Sequence, residues 1–168
     1  MALHIVIDGY NLIGASQSSG YIKNNLESVR EELFKRLLAY KRLKGHKITV
    51  VLDGKYSENL SRRHENHAGI EVIFSKNGEE ADLIIKEMAE KKREGLTIVT
   101  SDRDVASFAV KRGSVIITSN EFNDILEMAD YAEDKGIIDD EDCRSEKKGN
   151  PKRLSKKDRQ KVKRLKKL

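Results

Sequence analysis

Cysteine, proline and tryptophan are almost missing from this 168-residue chain, which has one Cys, one Pro and no Trp. A lone Cys143 cannot form an internal disulfide or contribute to a thiolate zinc cluster, so a reducing, cytoplasmic setting is expected. It sits in an acidic stretch that disfavours a thiolate, which leaves it without an expected reactive role. Only 5% of residues are aromatic, too few for a sheet platform that stacks bases. No stretch comes near the 18 or so uncharged apolar residues of a spanning helix, so no membrane partner is expected. The apolar start, Leu3 to Ile7, has no basic lead-in and is cut short by Asp8, as in a buried strand and unlike a signal peptide. Gly9 and Gly14 do not make a dinucleotide fingerprint, and no phosphate-loop Lys-Ser/Thr occurs, so no haem, flavin or nucleotide cofactor is expected. His64 and His67 offer only two metal ligands, and no Ser/His/Asp constellation can be defended from spacing.

The net charge of +5 conceals a division. Residues 147–168 hold twelve Lys and Arg against one acid, Asp158, a net +11; the first 146 residues hold 21 bases against 27 acids, a net −6. An acidic body therefore carries a basic tail. The expected organisation is a domain over 1–138, then an acidic linker and basic C-terminal tail over 139–168, flexible or a basic helix. Gly149, Asn150 and Pro151 punctuate the transition.

Five short runs rich in β-branched residues recur: Leu3–Ile7, Ile48–Leu52, Ile70–Phe74, Leu96–Thr100 and Ser114–Thr118. Their continuous apolar character is that of strands buried on both faces. Leu26, Val29, Leu33, Phe34, Leu37 and Leu38 carry the spacing of an amphipathic helix, closed near Gly45. Further helices are predicted from Glu79 to about Gly95, Asp102 to Arg112, and Glu121 to Ala132. The polar segment from Asp53 to Gly69 reads as a short helix or loop. Alternating strands and helices predict an α/β fold, a parallel sheet with helices on both faces in three α/β/α layers.

In such a sheet ligands bind beyond the carboxyl ends of the strands. Three strand ends here run into acids: Asp8 after the first, Asp53 after the second, and Asp102 with Asp104 after the fourth. The third leads to Glu79, Glu80 and Asp82 at the start of a helix. Each acid alone is also what a helix N-cap or first turn uses. Gathered at one edge, they repel one another unless a cation lies between them, and hard oxygen ligands suit Mg²⁺ or Mn²⁺.

The elements Asp8-Gly9-Tyr10-Asn11-Leu12-Ile13, Val51-Leu52-Asp53-Gly54, Glu79-Glu80-Ala81-Asp82 and Thr100-Ser101-Asp102 together resemble the NYN domain, and more closely its YacP-like branch, over about residues 1–132. That resemblance implies a PIN-like five-stranded parallel sheet in the order 3-2-1-4-5 and a metal-dependent ribonuclease. By motif position it implies that Asp8, Asp82 and Asp102 form the acidic metal-binding core and that Asn11 assists catalysis. Asp53, Glu79 and Asp104 are further metal candidates, with the choice between Glu79 and Glu80 open and Asp104 matched in some members only. The expected action is endonucleolytic, with an exonuclease and either one or two ions left open.

RNA must be gripped away from the acids. Arg62, Arg63 and Arg103 lie near the expected active edge, and Lys152, Arg153, Lys156 and Lys157 in the tail add attraction through counterion release. The expected partner is RNA, mRNA or rRNA, with a ribosomal setting compatible with the same electrostatics. Tyr10 is placed to stack on a base or to pack in part. The competing reading is a non-catalytic RNA- or ribosome-binding module on a PIN-like fold. Phosphoryl transfer on a similar sheet is disfavoured, because Tyr10 stands where aspartyl-phosphate hydrolases place a second Asp.

Overall fold

The computed structural model describes residues 2–16, 26–54, 58–92, 95–135 and 167–168. In chain order the elements are β1 (His4–Asp8), α1 (Gly9–Ser16), α2 (Leu26–Lys44), β2 (Lys47–Leu52), β3 (Arg63–His67), β4 (Ile70–Phe74), α3 (Ala81–Lys91), β5 (Leu96–Val99), α4 (Arg103–Lys111), β6 (Val115–Ile117) and α5 (Ser119–Lys135). They build one six-stranded sheet in the order β3-β4-β2-β1-β5-β6. The five apolar strands are parallel and take the expected 3-2-1-4-5 arrangement. β1 is central and pairs with both β2 and β5.

Strand alternation divides the core. Ile5, Ile7, Val50 and Leu52 face a layer formed by Leu12 and Ile13 of α1, Leu33, Leu37 and Tyr40 of α2, and Phe122 and Leu126 of α5. Val6, Val51 and Ile98 face Ile84 and Ile85 of α3 and Val105 and Ala109 of α4. The three-layer architecture follows from these two faces.

Two elements depart from the sequence expectation. The segment expected as a helix or loop contains β3, a sixth strand antiparallel to β4, so the sheet is mixed at one edge. All five β3 residues are exposed, and their polar character hides the strand from any search for apolar runs. The strand forms because Ala68 and Gly69 both take positive φ, 51° and 86°, as in the two-residue hairpin turn whose twist matches paired strands. Asn66 Oδ1 accepts the Gly69 N–H at 2.8 Å, and Phe34 stacks on His67 with ring centroids 4.9 Å apart. The second departure is α1, which opens directly from β1 at Gly9.

The segment 139–166 and its expected tail residues Lys152, Arg153, Lys156 and Lys157 lie outside the described residues. Lys167 and Leu168 do not stand off from the body. Leu168 is buried in the α1–α2–α5 layer. The backbone N–H of Leu3 donates to His46 Nδ1 at 3.2 Å, so the ring proton sits on Nε2, which donates to the Lys167 carbonyl at 3.0 Å. One neutral imidazole thus joins the start of β1 to the far end of the chain.

A Cβ built on Gly9 falls 2.4 Å from Leu52 Cδ2, 3.1 Å from Val50 Cγ1 and 3.2 Å from the Val51 carbonyl oxygen. Leu52 and Val50 are fully buried and have no room to yield. Gly9→Ala is therefore expected to lower the unfolding free energy by about 1–3 kcal/mol, as overpacking does. A urea-unfolding midpoint indistinguishable from that of the unmodified protein counts against this packing account.

Candidate metal and nucleic-acid site

At the carboxyl edge of the sheet a cleft of about 360 Å³ is lined by Asp8, Tyr10, Asn11, Asp53, Glu80, Ala81, Asp82 and Asp102. The topology accounts for the convergence. β1 ends in Asp8, and its neighbours β2 and β5 run on into Asp53 and Asp102, while α3 begins beyond β4 with Asp82 in its first turn. Glu80 holds the N-cap position of α3 without a capping hydrogen bond from its side chain.

Asp8 is only 8% exposed. Burial pushes its carboxyl up to about 6, with Asp82, Asp102 and Asp53 adding repulsion; the Asn11 N–H, 3.4 Å from Oδ1, pulls the other way. Asp82 is raised as well, by burial and then by Asp102. Asp102 serves two purposes at once. Its Oδ1 caps α4, accepting the N–H of Asp104 at 2.8 Å and of Val105 at 3.2 Å, and the cap fixes the carboxylate at the cleft wall. The structural and chemical readings of this residue are therefore compatible.

Several expected site residues are engaged elsewhere. Glu79 is 7% exposed and takes the Arg62 guanidinium, with contacts of 2.5–3.1 Å, which hold its carboxyl below the usual range. Of the adjacent pair, Glu80 lines the cleft and Glu79 does not. Arg62 also binds Glu87 of α3 at 2.7 Å, so it pins α3 to the approach to β3 and has two carboxylates in place of a phosphate. Arg63 lies 4.5 Å over the Phe74 ring and pairs with Glu65 at 2.8 Å. Asp104 pairs with Lys86 across α3 and α4 and is absent from the cleft lining. Arg103, the first residue of α4, is exposed beside Asp102. Ser75, which the sequence does not single out, stitches the site together: its hydroxyl donates to the Glu79 carbonyl at 2.6 Å and accepts the Gly54 N–H at 2.8 Å.

The donor set is all oxygen. Among the described residues no three acidic, His or Cys side chains already form a closed ligand group. Mg²⁺ in proteins commonly keeps several waters and uses one or two carboxylates, so a cleft of separated acids suits that hydrated ion better than a dry cage would.

The raised Asp8 carboxyl has a defined sign in metal-free protein. The folded chain holds this proton more tightly than the unfolded chain, so stability falls as pH rises from about 3.8 through about 6 and stays reduced above. Asp8→Asn is expected to raise metal-free stability at pH 7 to 8 by about 1–3 kcal/mol, with the gain fading towards pH 4. Thermal melts across pH check it; a gain that persists undiminished at pH 4 contradicts the electrostatic origin.

A family model described as the YacP-like NYN domain matches residues 5–167. The chain is similar to the Bacillus subtilis (strain 168) protein titled "Uncharacterized protein YacP", with 34% identity over 87 residues, 51% of each sequence. The match thus spans about half the length of that relative. In three dimensions it is similar to the crystal structure of a point mutant of Rae1 (YacP) from Bacillus subtilis, at TM-score 0.66 and 26% identity over 80% of each chain. A second Rae1 (YacP) crystal structure from that organism matches at TM-score 0.63 and 25% identity, over 81% of this chain and 79% of the other. The mixed sheet with its acidic carboxyl edge is a PIN-like, nuclease-type domain, and the chain belongs to the YacP-like NYN domain family.

Proposed function

We propose that this chain is a divalent-cation-dependent ribonuclease that hydrolyses phosphodiester bonds within RNA. The observation that carries the reading is the convergence of Asp8, Asp53, Glu80, Asp82 and Asp102 on one cleft, with Asp8 buried at its base. Gathering that many carboxylates around a buried one, against their mutual repulsion, is costly without a cation to offset it. Asp8, Asp82 and Asp102 would hold Mg²⁺ or Mn²⁺, with Asp53 and Glu80 within the same cleft. A bound divalent ion supplies a water of lowered pKa and neutralises charge that builds on the phosphoryl oxygens.

The residues around that ion then have separate tasks. Asp82, half-buried and with a raised pKa, orients the attacking water. Asn11 contacts the reacting phosphate. Arg103, exposed next to Asp102, is placed for a neighbouring phosphate on the same strand. Arg62 and Glu79, committed to each other, support α3 and take no direct part. The basic tail supplies sequence-independent attraction for RNA, naked or within a larger assembly.

Two measurements test the reading. Purified protein is expected to cut single-stranded RNA with Mn²⁺ or Mg²⁺, and Asp8→Asn to abolish cutting while RNA binding persists. Protein that binds RNA and Mn²⁺ but cuts no RNA offered would instead be a binding module. Separately, changing Lys152, Arg153, Lys156 and Lys157 to Ser, which spares the buried Leu168, is expected to flatten the dependence of log K on log salt. The slope should fall by about 0.7 for each lost phosphate contact. An unchanged slope removes those residues from the RNA interface.

A further inference from the structure

Asn11 sits among acceptors, and its own orientation decides what it can do there. The backbone N–H of Ser101 points at one end of its amide, at 2.9 Å. A backbone N–H can only donate, so that end is the carbonyl oxygen, Oδ1. The Ser119 hydroxyl meets the same oxygen at 2.5 Å and must therefore donate to it as well. Asn11 Oδ1 thus receives two hydrogen bonds, which occupy both its lone pairs. Among the described residues Nδ2 has no partner, and Asn11 lines the cleft. The amide consequently presents N–H donors to a space lined mainly by carboxylates.

Ser119 is fully buried and rigidly placed. It is the first residue of α5, directly after Thr118, which forms a reciprocal capping pair with Glu121. The Thr118 N–H donates to Glu121 Oε2 at 2.9 Å, and the Glu121 N–H donates to Thr118 Oγ1 at 3.2 Å. The Ser119 N–H donates in turn to Ser101 Oγ at 3.2 Å. Three residues just past the ends of adjacent strands β1, β5 and β6 are therefore locked into one network: Asn11, Ser101 and Ser119.

We propose that Ser119 is a positioning residue for the cleavage reaction: with the Ser101 N–H it fixes the Asn11 amide so that Nδ2 donates to a non-bridging oxygen of the scissile phosphate and Oδ1 is withheld from the metal. The inference rests on the ribonuclease reading and deepens it. Asn11 supplies the donor that the surrounding acids cannot, stabilising charge on phosphate where they hold the cation. Preorganised donors of this kind act on the transition state, so their loss falls on kcat more than on KM.

The test is a double-mutant cycle on Mn²⁺-supported RNA cleavage, with Mn²⁺ affinity measured alongside by calorimetry. Asn11→Ala is expected to lower kcat about 100-fold, in the range for loss of one transition-state donor. Ser119→Ala is expected to lower kcat about tenfold with KM changed less than about threefold. In the Asn11→Ala background, Ser119→Ala should have no further effect, because it acts only through the amide. All three variants should bind Mn²⁺ as the unmodified protein does. Asn11→Asp keeps the acceptor for Ser101 and Ser119 but loses the donors, and should be as impaired as Asn11→Ala. Additive losses in the cycle, a full-rate Asn11→Asp, or a fall in Mn²⁺ affinity on Asn11→Ala matching that of Asp8→Asn each overturn the inference. Ser119→Ala with unchanged kcat in an active enzyme background overturns it alone, whereas an unmodified chain that cuts no RNA overturns the ribonuclease reading and this inference with it.

Discussion

A carboxylate held 8% exposed at the end of the central strand is the constraint around which the molecule is arranged. Asp8 belongs to β1, the strand with parallel neighbours on both sides, so its backbone has little freedom to move the charge back into water. Gly9 must follow it, because α1 turns away against Leu52 and Val51 with no space for a side chain. The neighbouring strands cannot avoid delivering their own ends to the same edge. Chain topology, and not local attraction, is what brings Asp53, Asp82 and Asp102 near Asp8, and it does so against their electrostatic preference.

The periphery is built to tolerate that arrangement. Charges that would add to the repulsion are paired off: Glu79 and Glu87 with Arg62, and Asp104 with Lys86. The cap made by Asp102 gives part of its charge to the N-terminus of α4, where the helix dipole favours an anion. The acids that line the cleft, Asp8, Asp53, Glu80, Asp82 and Asp102, make no ion pair among the described residues. Paired acids flanking the cleft and unpaired ones lining it make a separation that suits a cation-binding site.

Much of this was legible in the residues. The five buried strands announce themselves because both faces of a central parallel sheet are covered, which forces continuous runs such as Ile48 to Leu52. The acids follow from the same runs, since each strand end marks where the next residue reaches the edge. β3 was not legible: Arg63 to His67 carry no apolar signal, and the strand depends on a hairpin turn whose first positive-φ position is occupied by an alanine. Helix α1 was obscured by Gly9 and Gly14, which locally read as turn residues. Whether Glu79 or Glu80 faces the cleft turns on Arg62, seventeen residues away in sequence, and no local pattern reports it. Ser101 and Ser119 did have a signal, a hydroxyl residue just past the end of each of two strands expected to be neighbours, but small polar residues there are also ordinary caps.

The burial of Leu168 fixes where the last two residues lie. Helices α2 and α5 both run back from the cleft edge, and the Arg42–Glu133 ion pair at 2.8 Å shows their far ends side by side. His46, which holds the Lys167 carbonyl, lies at that same far end, before β2 begins. Lys167 and Leu168 are therefore held at the side of the molecule opposite the cleft, where they steady the start of β1 and not the acids beyond its other end.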